Sequence, residues 1–336
     1  MKKILISDPT LRDGNHAVSH QLSIDNIINY CQIADAAGVP IVEVGHGNGL
    51  GASSLQVGLA AIDDKSMLTT ARAHLKTSKL AVHVIPGFAT IEKDIKPAIE
   101  VGVDVFRIAS HCSEADVTER HIDYCRNQGK TVFGVLMMSH MADRHLLAEE
   151  ATKMQTYGAE AIVLMDSAGN YLPCDVTEKV SHLVESLSIP VGFHAHNNLG
   201  MALANSIAAV ESGALILDGC ARGFGAGAGN AQLEVLIAVL HRMKYQTGVD
   251  LNKILAAGKL AEVELMKVIP SISSTSIVSG LSGVFSGFLK PVVRIAKEFD
   301  VDPRDVFFEL GKRKVVAGQE DIIIEVVKQI KGKRHD

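Results

Sequence analysis

Residues 4–16 read I-L-I-S-D-P-T-L-R-D-G-N-H, an apolar run followed at once by two carboxylates, a guanidinium and an imidazole. The apolar run, 4–7, favours a first β-strand, and Gly14 allows a sharp turn after it. One distant stretch matches it, because His194 and His196 also come at the end of an apolar run. Alternate residues of a strand face the same side, so we expect the two imidazoles to reach one common point.

Similar short apolar runs recur along the chain and alternate with amphipathic stretches of helical period. The further runs are 41–44, 80–85, 105–109, 131–136, 161–165, 191–194 and 215–218. The stretches predicted to be helical include 24–37, 92–101, 114–128, 142–157, 176–187, 201–212 and 230–243. Eight strands that alternate with helices predict an α/β fold, the closed (β/α)8 or TIM barrel. A doubly wound open sheet is the alternative, because periodicity alone does not decide closure.

The alternation ends near Gly248. Beyond it the pattern predicts a C-terminal helical appendage, with a charged, frayed end at 331–336. Its predicted helices are 251–268, 292–299, 306–310 and 322–330, with a polar link at 271–276. We therefore predict two domains: a catalytic barrel of residues 1–248 and a helical C-terminal domain of residues 249–336. The second domain is expected to pack on the barrel or at a subunit interface, which favours an oligomer.

Composition argues against several functional classes. The formal net charge is −5, which disfavours a nucleic-acid or membrane-surface role based on bulk charge. No run of about 18 apolar residues occurs, and no apolar signal segment follows the first lysines. The five cysteines are scattered and form no C-x-x-C pair, a pattern that favours reduced thiols. We expect a cytoplasmic protein with neither nucleic-acid nor membrane partners.

Active sites of (β/α)8 barrels lie at the carboxyl ends of the strands, and the polar clusters of this chain fall there. These clusters are Arg12, Asp13 and His16; Glu43 and His46; His111; Ser139 and His140; Asp166 and Ser167; His194 and His196; and the glycine-rich stretch 223–230. We predict that Asp13, His194 and His196 hold a divalent metal. Nitrogen ligands favour Mn2+ over Mg2+, with Co2+ also compatible.

Beside the metal ligands, Arg12 and His16 are the candidate catalytic residues. A fixed guanidinium would stabilise an enolate, and an imidazole can act as a general base near neutral pH. The alternatives are a structural salt bridge of Arg12 with Asp8, Glu43 or Asp166, and a capping or loop role for His16.

Two glycine-rich loops are expected near the site. Residues 223–230, G-F-G-A-G-A-G-N, lack the lysine of a P-loop, so we expect their glycines to let the backbone pass close to the metal. Asn230 is a possible further metal ligand or a helix N-cap, and the two roles can coexist. The loop 46–54 is either a lid or pocket wall, or a solvated connection.

Three motifs resemble the DRE-TIM, or HMG-CoA lyase-like, metallolyases: D-P-T-L-R-D-G at 8–14, H-A-H-N-N at 194–198 and G-x-G-A-G-A-G-N at 223–230. Five further stretches are similar to the pyruvate-aldolase branch that acts on 4-hydroxy-2-oxovalerate. They lie at 46–50, 110–116, 136–141, 230–235 and 318–321. The resemblance runs from about residue 5 to residue 330, nearly the whole chain.

The resemblance implies a metal-dependent retro-aldol lyase that releases pyruvate and an aldehyde such as acetaldehyde from a 4-hydroxy-2-oxo acid. It implies that His16 takes the C4 hydroxyl proton, that Arg12 holds the enolate and that Ser167 binds the substrate carboxylate. It also implies a role in aromatic hydrocarbon catabolism. Such enzymes pair with an acylating acetaldehyde dehydrogenase, and the appendage would carry that interface.

Two positions in the expected substrate pocket depart from the family pattern. Phe285 stands where a tyrosine is expected near His16, and His83 stands where a leucine would touch the aldehyde end. A buried histidine needs a polar partner. These departures lead to the hypothesis of an altered aldehyde specificity, towards a larger or more polar aldehyde, or of looser stereochemical control.

Two other functions remain open from the sequence. One is a Claisen-type synthase of the same superfamily that joins acetyl-CoA to a 2-oxo acid, although no large regulatory domain follows the barrel. The other is a non-catalytic scaffold for a dehydrogenase, which would be expected to carry a damaged metal site.

Overall fold

Eight parallel strands close into a barrel in sequence order, with β8 paired to β1. The structure is a computed structural model and describes residues 2–333. The strands are β1 Leu5–Leu11, β2 Ile41–Val44, β3 Lys79–Val84, β4 Val105–His111, β5 Thr131–Met137, β6 Ala161–Asp166, β7 Val191–Ala195 and β8 Ile216–Asp218. The predicted (β/α)8 barrel is confirmed, and the open doubly wound sheet is wrong.

Helices cover the outside of the barrel. The short helix α1, Gly14–Ala17, follows β1 at the barrel mouth, and the outer helices are α2 Ile24–Ala36, α3 Asp64–His74, α4 Lys96–Val101, α5 Glu119–Asn127, α6 Arg144–Thr156, α7 Pro173–Ser186, α8 Ala202–Glu211 and α9 Leu233–Arg242. The sequence prediction missed α3, whose buried face has only three apolar residues. Its clearest signal is Asp63, which caps the helix by accepting a hydrogen bond from the Ser66 amide at 2.9 Å.

The inner face of the barrel carries two kinds of layer. An apolar cluster that includes Ile41, Val105 and Ile216 fills its lower part. Two residues further along several strands, the inward positions become polar and stay buried. These inward polar residues are Ser7, Glu43, His83, Arg107, His194 and Asp218. The barrel therefore places a buried polar layer directly beneath the mouth where the candidate residues lie.

The C-terminal helices are α10 Leu251–Leu260, α11 Ser274–Leu281, α12 Leu289–Phe299, α13 Pro303–Lys312 and α14 Ile322–Lys333. Helix α10 belongs to the core around the barrel, while α12 to α14 share a separate core. The prediction of a polar link at 271–276 is wrong in part, because Ser273 caps α11 and the helix begins at Ser274. The domain boundary at residues 248 and 249 stays a prediction.

At the end of the chain, residues 331–333 continue α14, and the rest of the predicted frayed end lies outside the described residues. Within residues 2–333, no helix combines the length and the apolar character needed to cross a membrane.

Candidate active site

Asp13, His194 and His196 meet at the mouth of the barrel. One ligand atom from each lies within 4.8 Å of the others, and all three residues are buried. The Nδ1 atom of His194 lies 2.9 Å from Oδ2 of Asp218, and its Nε2 lies 3.4 Å from Nε2 of His196. A carboxylate that accepts a hydrogen bond from the Nδ1–H group leaves the lone pair on Nε2, the form that a metal ligand needs.

The ionisation of these groups suits a cation. Burial alone would raise the pKa of Asp13, but His196 and the Arg12 guanidinium outweigh it and hold that pKa well below its usual range. Burial lowers the pKa of His196 to about 3, so its imidazole is neutral at physiological pH. An ionised carboxylate beside the neutral His196 imidazole supplies deprotonated donors of the kind that divalent metals bind.

Asn230 adds a further donor to this set. Its Nδ2 donates to Oδ2 of Asp13 at 2.6 Å, while its buried Oδ1 has no hydrogen-bond partner within the described chain. An unpartnered buried oxygen beside the ligands fits a further metal contact. The alternative role as a helix N-cap is wrong, because α9 begins at Leu233 and its N-cap is Gln232.

The glycine loop passes close to this donor set, as predicted. A Cβ atom at Gly225 would collide with the Asn230 amide and the Asp13 carboxylate. The next amide, that of Ala226, donates to Oδ2 of Asp13 at 3.0 Å. Gly225 is therefore required because a side chain there would occupy the space of the ligands.

Arg12 is held by two carboxylates. Its Nε donates to Oε1 of Glu43 at 2.6 Å, and its Nη1 donates to Oδ1 of Asp13 at 2.7 Å. Of the predicted alternatives, only the Glu43 salt bridge forms, since Asp8 instead accepts from the Tyr30 hydroxyl at 2.6 Å. The Nη2 atom of Arg12 is buried without a partner in the described part of the chain, so it can still donate to a substrate oxygen.

The sequence prediction missed two members of the polar layer behind the site, Arg107 and Asp218. The Arg107 guanidinium pairs with Oε2 of Glu43 at 2.8 Å and with Oδ2 of Asp218 at 2.6 Å. Burial would raise the pKa of Asp218, but Arg107 and His194 lower it to about 2. The signal for Arg107 was a cationic residue inside an otherwise apolar strand, V-F-R-I-A at 105–109.

His16 lies on the short helix α1 beside the ligands. Its Nε2 is buried and makes no hydrogen bond to any described residue. Burial lowers the pKa of His16 to about 4, so its imidazole is a neutral proton acceptor. Phe285 lies edge-on to it at 6.0 Å between ring centroids, and His20, which the sequence prediction missed, lies at 5.2 Å.

Two cavities flank the segment that carries Phe285. A cavity of about 170 Å³ is lined by Ser167, Phe285 and Ile85, together with residues of the C-terminal region. Another, of about 250 Å³, is lined by His16 and Lys290. The Ser167 Oγ accepts from the Met138 amide at 2.9 Å, which leaves its own hydrogen free to donate.

Several predicted strand-end groups do not join the site. His140 contacts the Gly283 carbonyl at 3.0 Å, and His111 lies 2.8 Å from the Ser113 hydroxyl. The Asp166 carboxylate accepts from the Asn170 amide at 2.9 Å and so shapes its own loop. His83, in contrast, belongs to the buried polar layer directly beneath the site, with its Nδ1 3.9 Å from Oε1 of Glu43.

The loop after β2 forms part of the site wall. Its first residues, 46–50, are all buried, so the solvated-connection alternative is wrong for them. A Cβ at Gly47 would lie 2.6 Å from the His16 ring, so the loop packs directly against that imidazole.

Comparison with known proteins assigns the barrel. A family model described as HMGL-like matches residues 3–261. The chain belongs to the HMGL-like family. The resemblance drawn from the sequence motifs is confirmed, and a second model, described as a DmpG-like communication domain, matches residues 270–332.

Curated relatives of this HMGL-like chain match nearly all of it. A 4-hydroxy-2-oxovalerate aldolase from Spirochaeta aurantia is 69% identical over 98% of this chain and 97% of the relative. A protein of the same name from Pectobacterium atrosepticum is 61% identical over 98% of this chain and 96% of the relative. A third, from Streptomyces griseus, is 56% identical over 99% and 98% of the two chains.

A solved structure supports the barrel fold. The carboxyl transferase domain of Rhizobium etli pyruvate carboxylase superposes with a TM-score of 0.82 at 16% identity, covering 99% of this chain and 61% of that one. At this identity the similarity concerns the fold alone. Membership in the HMGL-like family implies a divalent metal, and Asp13, His194 and His196 are its candidate site.

Proposed function

We propose that this HMGL-like protein cleaves a 4-hydroxy-2-oxo acid, 4-hydroxy-2-oxovalerate or a close analogue, into pyruvate and an aldehyde such as acetaldehyde. The observation that carries the proposal is the convergence of Asp13, His194 and His196 beside Arg12 and His16, in a chain 69% identical to a protein named 4-hydroxy-2-oxovalerate aldolase. The intact ligand set argues against a non-catalytic scaffold.

Asp13, His194 and His196 would hold the metal, with Asn230 as a possible further ligand through its unpartnered Oδ1. The mixed nitrogen and oxygen donors favour Mn2+, with Mg2+ or Co2+ as alternatives. When bound, the divalent ion supplies Lewis-acid stabilisation of negative charge that develops on the substrate.

His16 acts as the general base. Its neutral imidazole accepts the proton of the C4 hydroxyl, the C4–O bond becomes a carbonyl, and the C3–C4 bond breaks. The electron pair of that bond passes into the pyruvate enolate, and the aldehyde leaves. The proton returns to C3 of the enolate, which yields pyruvate without net gain or loss of protons.

Arg12 and Ser167 orient and stabilise the substrate. The unpartnered Nη2 of Arg12 donates to the developing enolate oxygen, where a fixed charge in a buried site is most effective. Ser167 donates its free hydroxyl hydrogen to the substrate carboxylate. The cavity of about 170 Å³ that Ser167 and Phe285 line would hold part of the substrate.

The aldehyde specificity is proposed to differ from that of a tyrosine-bearing site. Phe285 provides an aromatic wall without a hydroxyl, and His83 adds a buried imidazole, with Nδ1 unpartnered, to the polar layer below. Both changes would favour a larger or more polar aldehyde than acetaldehyde, or loosen stereochemical control.

We also propose a dehydrogenase partner that receives the aldehyde. The match of residues 270–332 to a DmpG-like communication domain supports an interface on this region. An oligomeric assembly and a cytoplasmic location stay predictions. The five cysteines, none in a disulfide, are compatible with the latter.

The test compares two reactions in parallel. Pyruvate release from 4-hydroxy-2-oxovalerate, coupled to NADH oxidation by lactate dehydrogenase, is expected with Mn2+ present and is expected to be lost in His16→Ala. Thiol release from acetyl-CoA with a 2-oxo acid is expected to be absent. Thiol release without pyruvate release would instead identify a Claisen-type synthase.

A further inference from the structure

Arg107 lies at the centre of the polar layer, fully buried with 0% of its surface exposed. It projects from β4 to groups on β1, β2 and β8. Its Nη1 donates to the Ser7 hydroxyl at 3.0 Å and pairs with Oε2 of Glu43 at 2.8 Å, and its Nη2 donates to Oδ2 of Asp218 at 2.6 Å. One planar guanidinium thus serves two carboxylates at once, a geometry that a single ammonium cannot reproduce.

The Asp218 contact leads to the metal ligands. The same oxygen, Oδ2, that accepts from Arg107 lies 2.9 Å from Nδ1 of His194. A fixed carboxylate orients the His194 ring and keeps the hydrogen on Nδ1, so that Nε2 faces His196. Displacement of Asp218 would therefore misalign one ligand of the metal site.

The Glu43 contact leads to the candidate enolate-binding group. Oε1 of Glu43 accepts from Nε of Arg12 at 2.6 Å, while Oε2 faces Arg107. Oε2 makes an ion pair with Arg107 but no hydrogen bond to a described residue, so Arg107 restrains by charge the carboxylate that sets the plane of the Arg12 guanidinium.

We propose that Arg107 is a positioning residue that couples the metal ligand His194 to the enolate-binding Arg12 through Asp218 and Glu43. The proposal rests on the function proposed above for those two groups. A purely charge-balancing role would need only a cation, whereas the coupling needs both arms of the guanidinium fork.

Arg107→Lys separates the two roles, because it keeps the charge and removes the fork. Calorimetric titration of the metal-free protein with Mn2+ should give a Kd raised at least about tenfold. At saturating Mn2+, kcat for pyruvate release should fall at least about tenfold, with KM changed by less than about threefold. The matched control is Arg72→Lys. Arg72 pairs with Asp104 on the outside of the barrel, so the Mn2+ Kd and kcat of this variant should stay within about twofold of wild type.

A Mn2+ Kd within about twofold of wild type in folded Arg107→Lys overturns the proposal. Because this binding readout needs no turnover, it stays informative even if 4-hydroxy-2-oxovalerate is not cleaved, a result that would refute the proposed function instead.

If Arg107→Lys does not fold, a double-mutant cycle of Glu43→Gln and Asp218→Asn decides. Coupling through Arg107 predicts that the Mn2+ Kd of the double variant departs from the product of the single effects by more than about threefold. A Mn2+ Kd of the double variant that equals the product of the single effects, within about 1.5-fold, contradicts the proposal.

Discussion

The Nε2 atoms of His194 and His196 lie 3.4 Å apart inside the barrel mouth, with an Asp13 oxygen within 4.8 Å. Because the Asp218 carboxylate accepts a hydrogen bond from Nδ1 of His194, the Nε2 lone pair of that ring faces His196, and a divalent cation can bind between the two rings. Binding to the folded state alone raises its stability, by about 2.7 kcal/mol at a hundredfold excess over Kd. Mn2+ should therefore raise the melting temperature of the metal-free protein, and His196→Ala should abolish that increase.

The control for this experiment is His145→Ala, an exposed histidine on α6, which should keep the full increase. An equal Mn2+-induced shift in His196→Ala would contradict the assigned ligand set.

Gly225→Ala should disrupt the metal site while leaving the barrel intact. The added methyl group would collide with the Asn230 amide and the Asp13 carboxylate. We expect the Mn2+ Kd, measured by calorimetry, to rise at least about tenfold. Gly332→Ala is the control, because a Cβ there meets nothing within 4 Å, and it should be neutral or slightly stabilising. Unchanged Mn2+ affinity in Gly225→Ala would show that the loop can retreat.

The pH profile should reveal the buried character of His16. Burial lowers its pKa to about 4, and a general base works only while deprotonated. At saturating Mn2+, kcat/KM should stay level from pH 8 down to about 5.5 and fall only as pH approaches about 4. Mn2+ titrations at each pH distinguish this fall in kcat/KM from a loss of bound metal. An acid limb near the ordinary histidine value of about 6.5 would exclude His16 as the buried base.

Phe285→Tyr should shift the aldehyde preference towards the small substrate. The new hydroxyl would narrow the cavity shared with Ser167 and give the His16 region a hydrogen-bonding group. The ratio of kcat/KM for 4-hydroxy-2-oxovalerate over its longer homologues should rise about tenfold. Phe308→Tyr, on the exposed side of α13, is the control. A ratio that stays within about twofold of wild type would argue that Phe285 does not set specificity.

Glu320 should make the C-terminal region sensitive to pH. Burial raises its pKa from 4.5 to about 7, so the folded state keeps a proton that the unfolded chain has already released between these values. Wild-type stability therefore falls as pH rises through this window. Glu320→Gln should melt at a higher temperature than wild type at pH 8 and at a similar temperature at pH 4. A melting temperature of Glu320→Gln below that of wild type at pH 8 would contradict the raised pKa. Glu100→Gln, at an exposed position, serves as the control.

The sequence was sufficient for the barrel because each strand and its helix are local, periodic units. It also brought the three candidate metal ligands together, since His194 and His196 are two residues apart at the end of one strand and Asp13 follows the first strand. These relationships depend only on strand alternation and on the shared end of a parallel barrel.

Contacts across the barrel could not be predicted in the same way. Arg107 meets Asp218 from a position 111 residues away, and which inward residues face each other depends on the stagger of the closed strands. The placement of Phe285 beside His16 depends on how the C-terminal core packs on the barrel mouth, which no local pattern encodes. The family resemblance, and not the residue pattern, suggested that contact.

Metal dependence of the cleavage reaction tests the central claim most directly. Protein stripped with EDTA is assayed for pyruvate release from 4-hydroxy-2-oxovalerate with no metal, Mn2+, Mg2+ or Co2+, beside Asp13→Asn under the same conditions. We expect no release without metal, recovery that is greatest with Mn2+, and no recovery in Asp13→Asn. Pyruvate release that is the same with and without added metal would contradict the account.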